Sequence, residues 1–203
     1  GAGTPLVVFY GGNAMNVGCF ANIAAADPTR SYLLMNYRGY GGSEGEPSES
    51  QIVSDANCCI TYARAKMGTP GPLALVGYSL GSGVAVQVAA TKSASALVLI
   101  CPFDSMTEVA CNQVPFLPRI LPMDDWNSTE YAPMVKCPVT VMRAQTDDIV
   151  PSESTDKLIQ SFTTPPAVKI YPADHNSIFF CPDFTTDIMK ALPLNQATDV
   201  EEV

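Results

Sequence analysis

The chain has 203 residues, 47% of them hydrophobic and only 15% charged, enough apolar content for one domain that buries roughly 70% of its unfolded surface. Acidic residues outnumber basic ones 20 to 11, which leaves no basic footprint to neutralise the phosphates of a nucleic acid. No apolar run approaches the ~18 residues needed to cross a bilayer, no charged-then-apolar leader opens the chain, and 7 cysteines with a single histidine show none of the usual zinc spacings.

Gly1–Pro5 leads almost at once into the first predicted strand, Leu6–Tyr10. The expectation is therefore a natural protein with more chain before this point, holding further strands, an anchor or a leader. Strand-like runs follow at Ser31–Asn36, Leu73–Gly77, Ala96–Ile100, Val139–Arg143 and Ala167–Tyr171, spaced too far apart for hairpins. Their nearly continuous apolarity suits strands buried on both faces. Between them, Glu49–Lys66, Leu80–Thr91 and Ser152–Ser161 read as helices, and Asp183–Ala191 as a last one. This alternation predicts a mostly parallel sheet with helices on both faces.

The segment Pro102–Pro133 interrupts the rhythm, being rich in proline and in exposed-looking Phe116, Leu117, Ile120, Leu121, Met123 and Trp126. It reads as a small helical excursion over one end of the sheet. Residues 1–192 are expected to form the single domain, and 193–203 an acidic, disordered tail. Cys101 and Cys137 lie in apolar Ile100-Cys101-Pro102 and Lys136-Cys137-Pro138 settings, where a thiol packs as a small hydrophobe. The adjacent Cys58 and Cys59 point to different faces of a helix and form no metal clip. Mostly reduced cysteines fit a cytoplasmic compartment.

The chemistry concentrates around Leu73–Ala85, where an apolar strand runs into Gly77-Tyr78-Ser79-Leu80-Gly81 and then into a helix. The Gly-x-Ser-x-Gly pentapeptide alone is weak evidence, since glycine and serine are common. Its context is what matters. A nucleophile elbow strains the serine backbone, and glycines at both flanks remove side chains that would clash there. Ser79 would then stand at the carboxyl edge of the sheet, where open α/β sheets place their ligands. The plainer alternative is a serine capping a helix. Neither this loop nor Gly39-Tyr40-Gly41-Gly42-Ser43-Glu44 fits a nucleotide-binding pattern, because one lacks the Lys-Ser or Lys-Thr pair and the other the third glycine.

A serine hydroxyl needs a base within hydrogen-bond reach, and His175 is the only histidine. It follows the last predicted strand directly, on a loop facing the same sheet edge. The acid that orients it should fall between serine and histidine in chain order, after a strand. Asp147 is the first choice, its neighbour Asp148 the second and Asp104 the third. For the oxyanion that develops in acyl transfer, one donor is expected from the main-chain N–H of Leu80. The other should come from the loop Tyr10–Asn16, with Asn13 preferred over Gly12.

Assembled, the series Gly11-Gly12-Asn13-Ala14-Met15-Asn16, Asn36-Tyr37-Arg38-Gly39-Tyr40-Gly41-Gly42-Ser43, Gly77-Tyr78-Ser79-Leu80-Gly81, Asp147 with Val150-Pro151, and His175-Asn176 resembles one branch of the α/β-hydrolase superfamily. That branch has a minimal cap and includes bud-emergence-type proteins and α/β-hydrolase-domain serine hydrolases. The likeness runs over nearly the whole chain, including Pro115-Phe116-Leu117-Pro118. It departs where the family's His-Gly-Asn-Ala reads Gly11-Gly12-Asn13-Ala14, and the paired strands that usually precede this loop are missing. The resemblance implies an α/β-hydrolase fold with a small helical excursion in place of a large cap, Ser79, Asp147 and His175 as a triad, and Asn13 and Leu80 as oxyanion donors. The fold hosts many chemistries, but the apolar excursion leans towards an acyl or alkyl group, so a small-molecule or acylated ester or thioester is the expected substrate, with no metal or other cofactor. Amide hydrolysis and a non-catalytic binding role on the same fold stand as alternatives.

Overall fold

The computed structural model describes residues 3–114 and 124–193. Six strands, β1 (Leu6–Tyr10), β2 (Ser31–Met35), β3 (Leu73–Tyr78), β4 (Ala96–Ile100), β5 (Val139–Ala144) and β6 (Ala167–Tyr171), form one sheet in the order β2-β1-β3-β4-β5-β6. Every neighbouring pair is parallel. The described helices are α1 (Ala21–Ala26), α2 (Glu49–Met67), α3 (Leu80–Thr91), α4 (Met106–Gln113), α5 (Ser128–Tyr131), α6 (Ser152–Ser161) and α7 (Phe184–Ala191). Each strand and helix expected from the sequence is present, with its ends shifted by no more than one residue. Helix α1 was not anticipated, because 6 residues give too short a run for a helical period to emerge.

Residues alternating along the strands feed two separate cores. Val8, Tyr10, Leu75, Leu97, Leu99 and Val141 pack against α2, α3 and α6, whereas Val7, Phe9, Val76, Val98, Ile100 and Met142 pack against α1 and α7. This is the burial pattern that continuous apolarity implies for a covered parallel sheet. Edge strand β6 departs from it: Val168 is 43% and Ile170 62% exposed, because this last strand has a neighbour on one side only.

The chain leaves β1 through α1 on one face and leaves β3 through α3 on the other, although β1 and β3 are sheet neighbours. Their following loops therefore diverge at the carboxyl edge, the switch point at which ligands of such sheets bind.

The excursion carries α4 and α5, and α4 starts on Ser105, whose side chain accepts from the Glu108 N–H at 3.3 Å. Trp126 corrects the expectation of an exposed apolar surface. It is only 4% exposed and lies under α3, so close that a Cβ added to Gly83 would sit 3.2 Å from its own Cβ. Its main-chain N–H donates to Oε2 of Glu49 at 3.0 Å, while Oε1 of Glu49 accepts from the Gln87 side chain at 2.6 Å. A single carboxylate thus ties the excursion to α2 and α3. Phe116, Leu117, Ile120, Leu121 and Met123 lie outside the described residues, as does the expected tail from residue 194 onward. No helix among the described residues is long and apolar enough to cross a membrane.

Candidate active site

Ser79 sits between β3 and α3 with φ 51° and ψ −119°, a left-handed backbone that an L-residue adopts only under constraint. Two glycines supply the room. A Cβ on Gly77 would lie 2.3 Å from the Gly81 oxygen, and one on Gly81 would lie 2.1 Å from the Tyr10 oxygen and 2.7 Å from that of Gly11. The start of α3 is thereby pressed against the end of β1. Ala14 (φ 56°) and Cys101 (φ 46°) are also left-handed, so strain gathers in the residues that follow β1, β3 and β4 at one edge of the sheet.

The Ser79 Oγ is 3.0 Å from Nε2 of His175, and Nδ1 of His175 is 2.9 Å from both carboxylate oxygens of Asp147. An ionised carboxylate can only accept, which puts the ring proton on Nδ1 and the lone pair on Nε2, facing the serine hydroxyl. The His175 and Asp147 side chains are 5% and 9% exposed, and so largely dry. Burial alone would raise the Asp147 carboxyl, but hydrogen bonds from His175 and from the N–H groups of Val150 and Ile149 outweigh it and hold the group below the usual carboxylate range. The loops bearing the two residues are zipped by Gln145 N–H to the Tyr171 oxygen at 2.8 Å and Thr146 N–H to the Ala173 oxygen at 3.0 Å.

The other two acid candidates lie elsewhere in the network. Asp148 is exposed. Asp104 is 4% exposed and engaged in structure, accepting from the Ser154 hydroxyl at 2.6 Å and the Ser105 N–H at 2.8 Å, with Lys157 at 3.4 Å.

Of the two residues expected to supply oxyanion donors, Leu80 is the first residue of α3, so its N–H belongs to the turn that has no partner within the helix. Gly12 abuts the serine: a Cβ there would stand 3.4 Å from the Ser79 Cβ and 2.9 Å from the Tyr78 ring. The Gly12 oxygen accepts from Met15 N–H at 3.2 Å. In a trans peptide the next N–H, that of Asn13, then points the opposite way. The Asn13 side chain is exposed, and its Oδ1 accepts from the Tyr40 hydroxyl at 2.6 Å.

Sequence reasoning missed two supports. Tyr78 donates its hydroxyl towards the His175 oxygen at 3.2 Å, and the Cys101 Sγ lies 3.8 Å from the same oxygen. Cys101 was legible as a buried thiol, and it is 1% exposed, but no local signal marked its position under the histidine loop. Cys101, Asp147 and His175 each offer a ligand atom within 4.8 Å of the others. These donors suit a metal poorly. Burial pushes the Cys101 thiol well above its ordinary value, so it keeps the proton a metal would have to displace, and both imidazole nitrogens are already engaged.

Residues 4–130 match the model of a protein family described as alpha/beta hydrolase fold. A protein of Mycobacterium tuberculosis whose name assigns it no activity is 36% identical over 181 residues, which cover 87% of this chain and 64% of that one. Lysophosphatidylserine lipase ABHD12 of Danio rerio is 34% identical over 146 residues, covering 62% of this chain and 38% of the relative. The chain thus spans less than two thirds of either relative. A solved esterase structure from Pyrococcus furiosus superposes with a TM-score of 0.75 over 93% of this chain and 82% of that one, at 14% identity. That likeness is one of fold.

Proposed function

Because this chain belongs to the α/β-hydrolase family, we propose that it is a serine hydrolase cleaving a carboxylic ester or thioester through an acyl-enzyme intermediate. The observation that carries this reading is the unbroken hydrogen-bonded series from Asp147 through His175 to Ser79, at 2.9 and 3.0 Å. As His175 Nε2 takes the hydroxyl proton, Ser79 Oγ attacks the substrate carbonyl carbon, and the N–H groups of Leu80 and Asn13 receive the oxyanion. The tetrahedral intermediate collapses as His175 returns its proton to the leaving alcohol or thiol. Water then repeats the sequence on the acyl-serine, giving its proton to His175 and releasing the acid. Asp147 remains ionised throughout, fixing the tautomer and balancing the imidazolium. The steps require no metal or other cofactor.

Exposed apolar side chains follow the proposed acid and base closely in the chain. Ile149, two residues beyond Asp147, and Phe180, five beyond His175, are 38% and 86% exposed. Exposed Val114 adjoins Gln113, whose side chain donates to the Ile149 oxygen at 2.9 Å. These apolar groups support an acyl or alkyl substituent, and the lipase name of the zebrafish relative points the same way. The net charge of −9 disfavours strongly anionic substrates.

A fluorophosphonate probe and nitrophenyl esters of increasing chain length test the reading. The parent should label and turn over, while Ser79→Ala should do neither, losing a factor that approaches roughly a million in another triad enzyme. Labelling retained in folded Ser79→Ala would overturn the nucleophile. A parent that neither labels nor hydrolyses would be a binding protein on a hydrolase fold.

A further inference from the structure

The motif Asn36–Ser43 has no part in the proposed chemistry, yet its side chains converge on the loop between β1 and the 3-10 turn Val17–Phe20. The Tyr37 hydroxyl donates to the Gly11 oxygen at 2.8 Å, the Tyr40 hydroxyl to Asn13 Oδ1 at 2.6 Å, and Asn36 Oδ1 accepts from Val17 N–H at 3.2 Å. Three hydrogen bonds thus reach both ends and the middle of one loop. That loop is confined from the other side as well, since Gly12 abuts Tyr78 and Ser79 and the Gly11 oxygen borders Gly81.

The motif is itself stiffened. Tyr37 and Tyr40 meet edge to face at 5.4 Å, and Tyr40 N–H donates to the Tyr37 oxygen at 3.0 Å. The Arg38 guanidinium grips both oxygens of Asp55 on α2 at 2.7 and 2.8 Å. Gly41 is left-handed, with φ 57°, and a Cβ there would stand 3.1 Å from Asn36 Nδ2, so the turn requires glycine. Tyr37 is 2% exposed, and a hydroxyl so buried needs the partner it has in Gly11.

We propose that this segment is a brace for the oxyanion loop and that Tyr40 and Tyr37 are positioning residues for the reaction, an inference that rests on the hydrolase reading for its kinetic consequence. The donor at Asn13 must meet the oxyanion at hydrogen-bond distance, and Tyr40 holds Asn13 by its side chain. Tyr40→Phe removes that bond while keeping the ring contact with Tyr37.

In Tyr40→Phe, kcat should fall about tenfold, the scale of loss from a sub-ångström displacement of a catalytic group, with KM little changed. Fluorophosphonate inactivation should slow in proportion, because the phosphonyl oxygen uses the same donors. Asn13→Ala should match this loss, and the double variant should lose no more than the worse single one. Amide exchange over residues 11–16, read by mass spectrometry, should quicken without a drop in melting temperature. Unchanged kcat, additive losses, or unaltered exchange in Tyr40→Phe would overturn the brace. If the parent proves inactive, the hydrolase reading falls, and exchange over the loop still decides whether Tyr40 holds it.

Discussion

The Tyr78 hydroxyl lies 3.2 Å from the main-chain oxygen of His175 and 3.1 Å from Asn176 Oδ1. The residue before the candidate nucleophile therefore holds the loop that carries the candidate base, while its ring packs on Gly12 of the oxyanion loop. Tyr78→Phe should cost about 1 kcal/mol of stability, the net worth of an ordinary hydrogen bond. It should also slow turnover roughly tenfold by loosening the His175 backbone. Urea unfolding and initial rates check the two effects separately. A stability loss with no change in rate would mean that Asp147 alone is enough to hold the imidazole.

The three carboxylates considered for the acid should separate cleanly on substitution. Asp147→Asn should nearly abolish hydrolysis, because the amide cannot both accept from Nδ1–H and balance an imidazolium. Asp148→Asn should leave the rate nearly intact. Asp104→Asn should cost roughly 2 kcal/mol through its buried charged hydrogen bonds, with kcat of the folded protein preserved. Rates at one pH, paired with unfolding curves, decide the assignment; a greater rate loss in Asp148→Asn would shift it by one residue.

One pH dependence follows from the same network. The folded Asp147 carboxyl is held below its ordinary value, so its contribution to stability is fully present above the unfolded value of about 3.9 and is lost as pH falls through the folded one. The stability gap between the parent and Asp147→Asn should therefore be constant at neutral pH and narrow in acid. The proposed general base is tested by substitution: His175→Gln should abolish hydrolysis in a protein that remains folded, and a chelator should leave the parent rate unchanged.

At the amino end of β2, opposite the sheet edge that carries Ser79, the Arg30 guanidinium meets Asp27 at 2.6 Å, with side chains 4% and 10% exposed, and its Nε donates to the Pro193 oxygen at 2.8 Å. This pair clasps the segment that directly follows α7. Asp27→Asn should cost about 3 kcal/mol, the penalty for stranding a buried charge, while kcat stays unchanged. A loss below 1 kcal/mol in urea titrations would show that the remaining Arg30 partners are enough to satisfy it.

The alternation of strands and helices was legible in one dimension, because a doubly covered parallel sheet leaves short, continuous apolar runs separated by longer helical stretches. The elbow around Ser79 was legible as well, through its two flanking glycines, although it is the Tyr10 oxygen at the end of β1 that demands Gly81. His175 stood out because the chain has no other histidine. Choosing among Asp147, Asp148 and Asp104 was beyond local spacing; only the packing of β5 against β6 brings one carboxylate to the imidazole and turns the others away. The burial of Trp126, the exposure of β6, the Cys101 thiol beneath the histidine loop and the reach of Tyr40 to Asn13 were decided in the same way, by contacts between segments far apart in the chain. Covalent geometry and periodicity act over a few residues and can be read in one dimension. The partners of a hydroxyl, a thiol or a carboxylate are set by which strand ends meet, and that exists only once the sheet has formed.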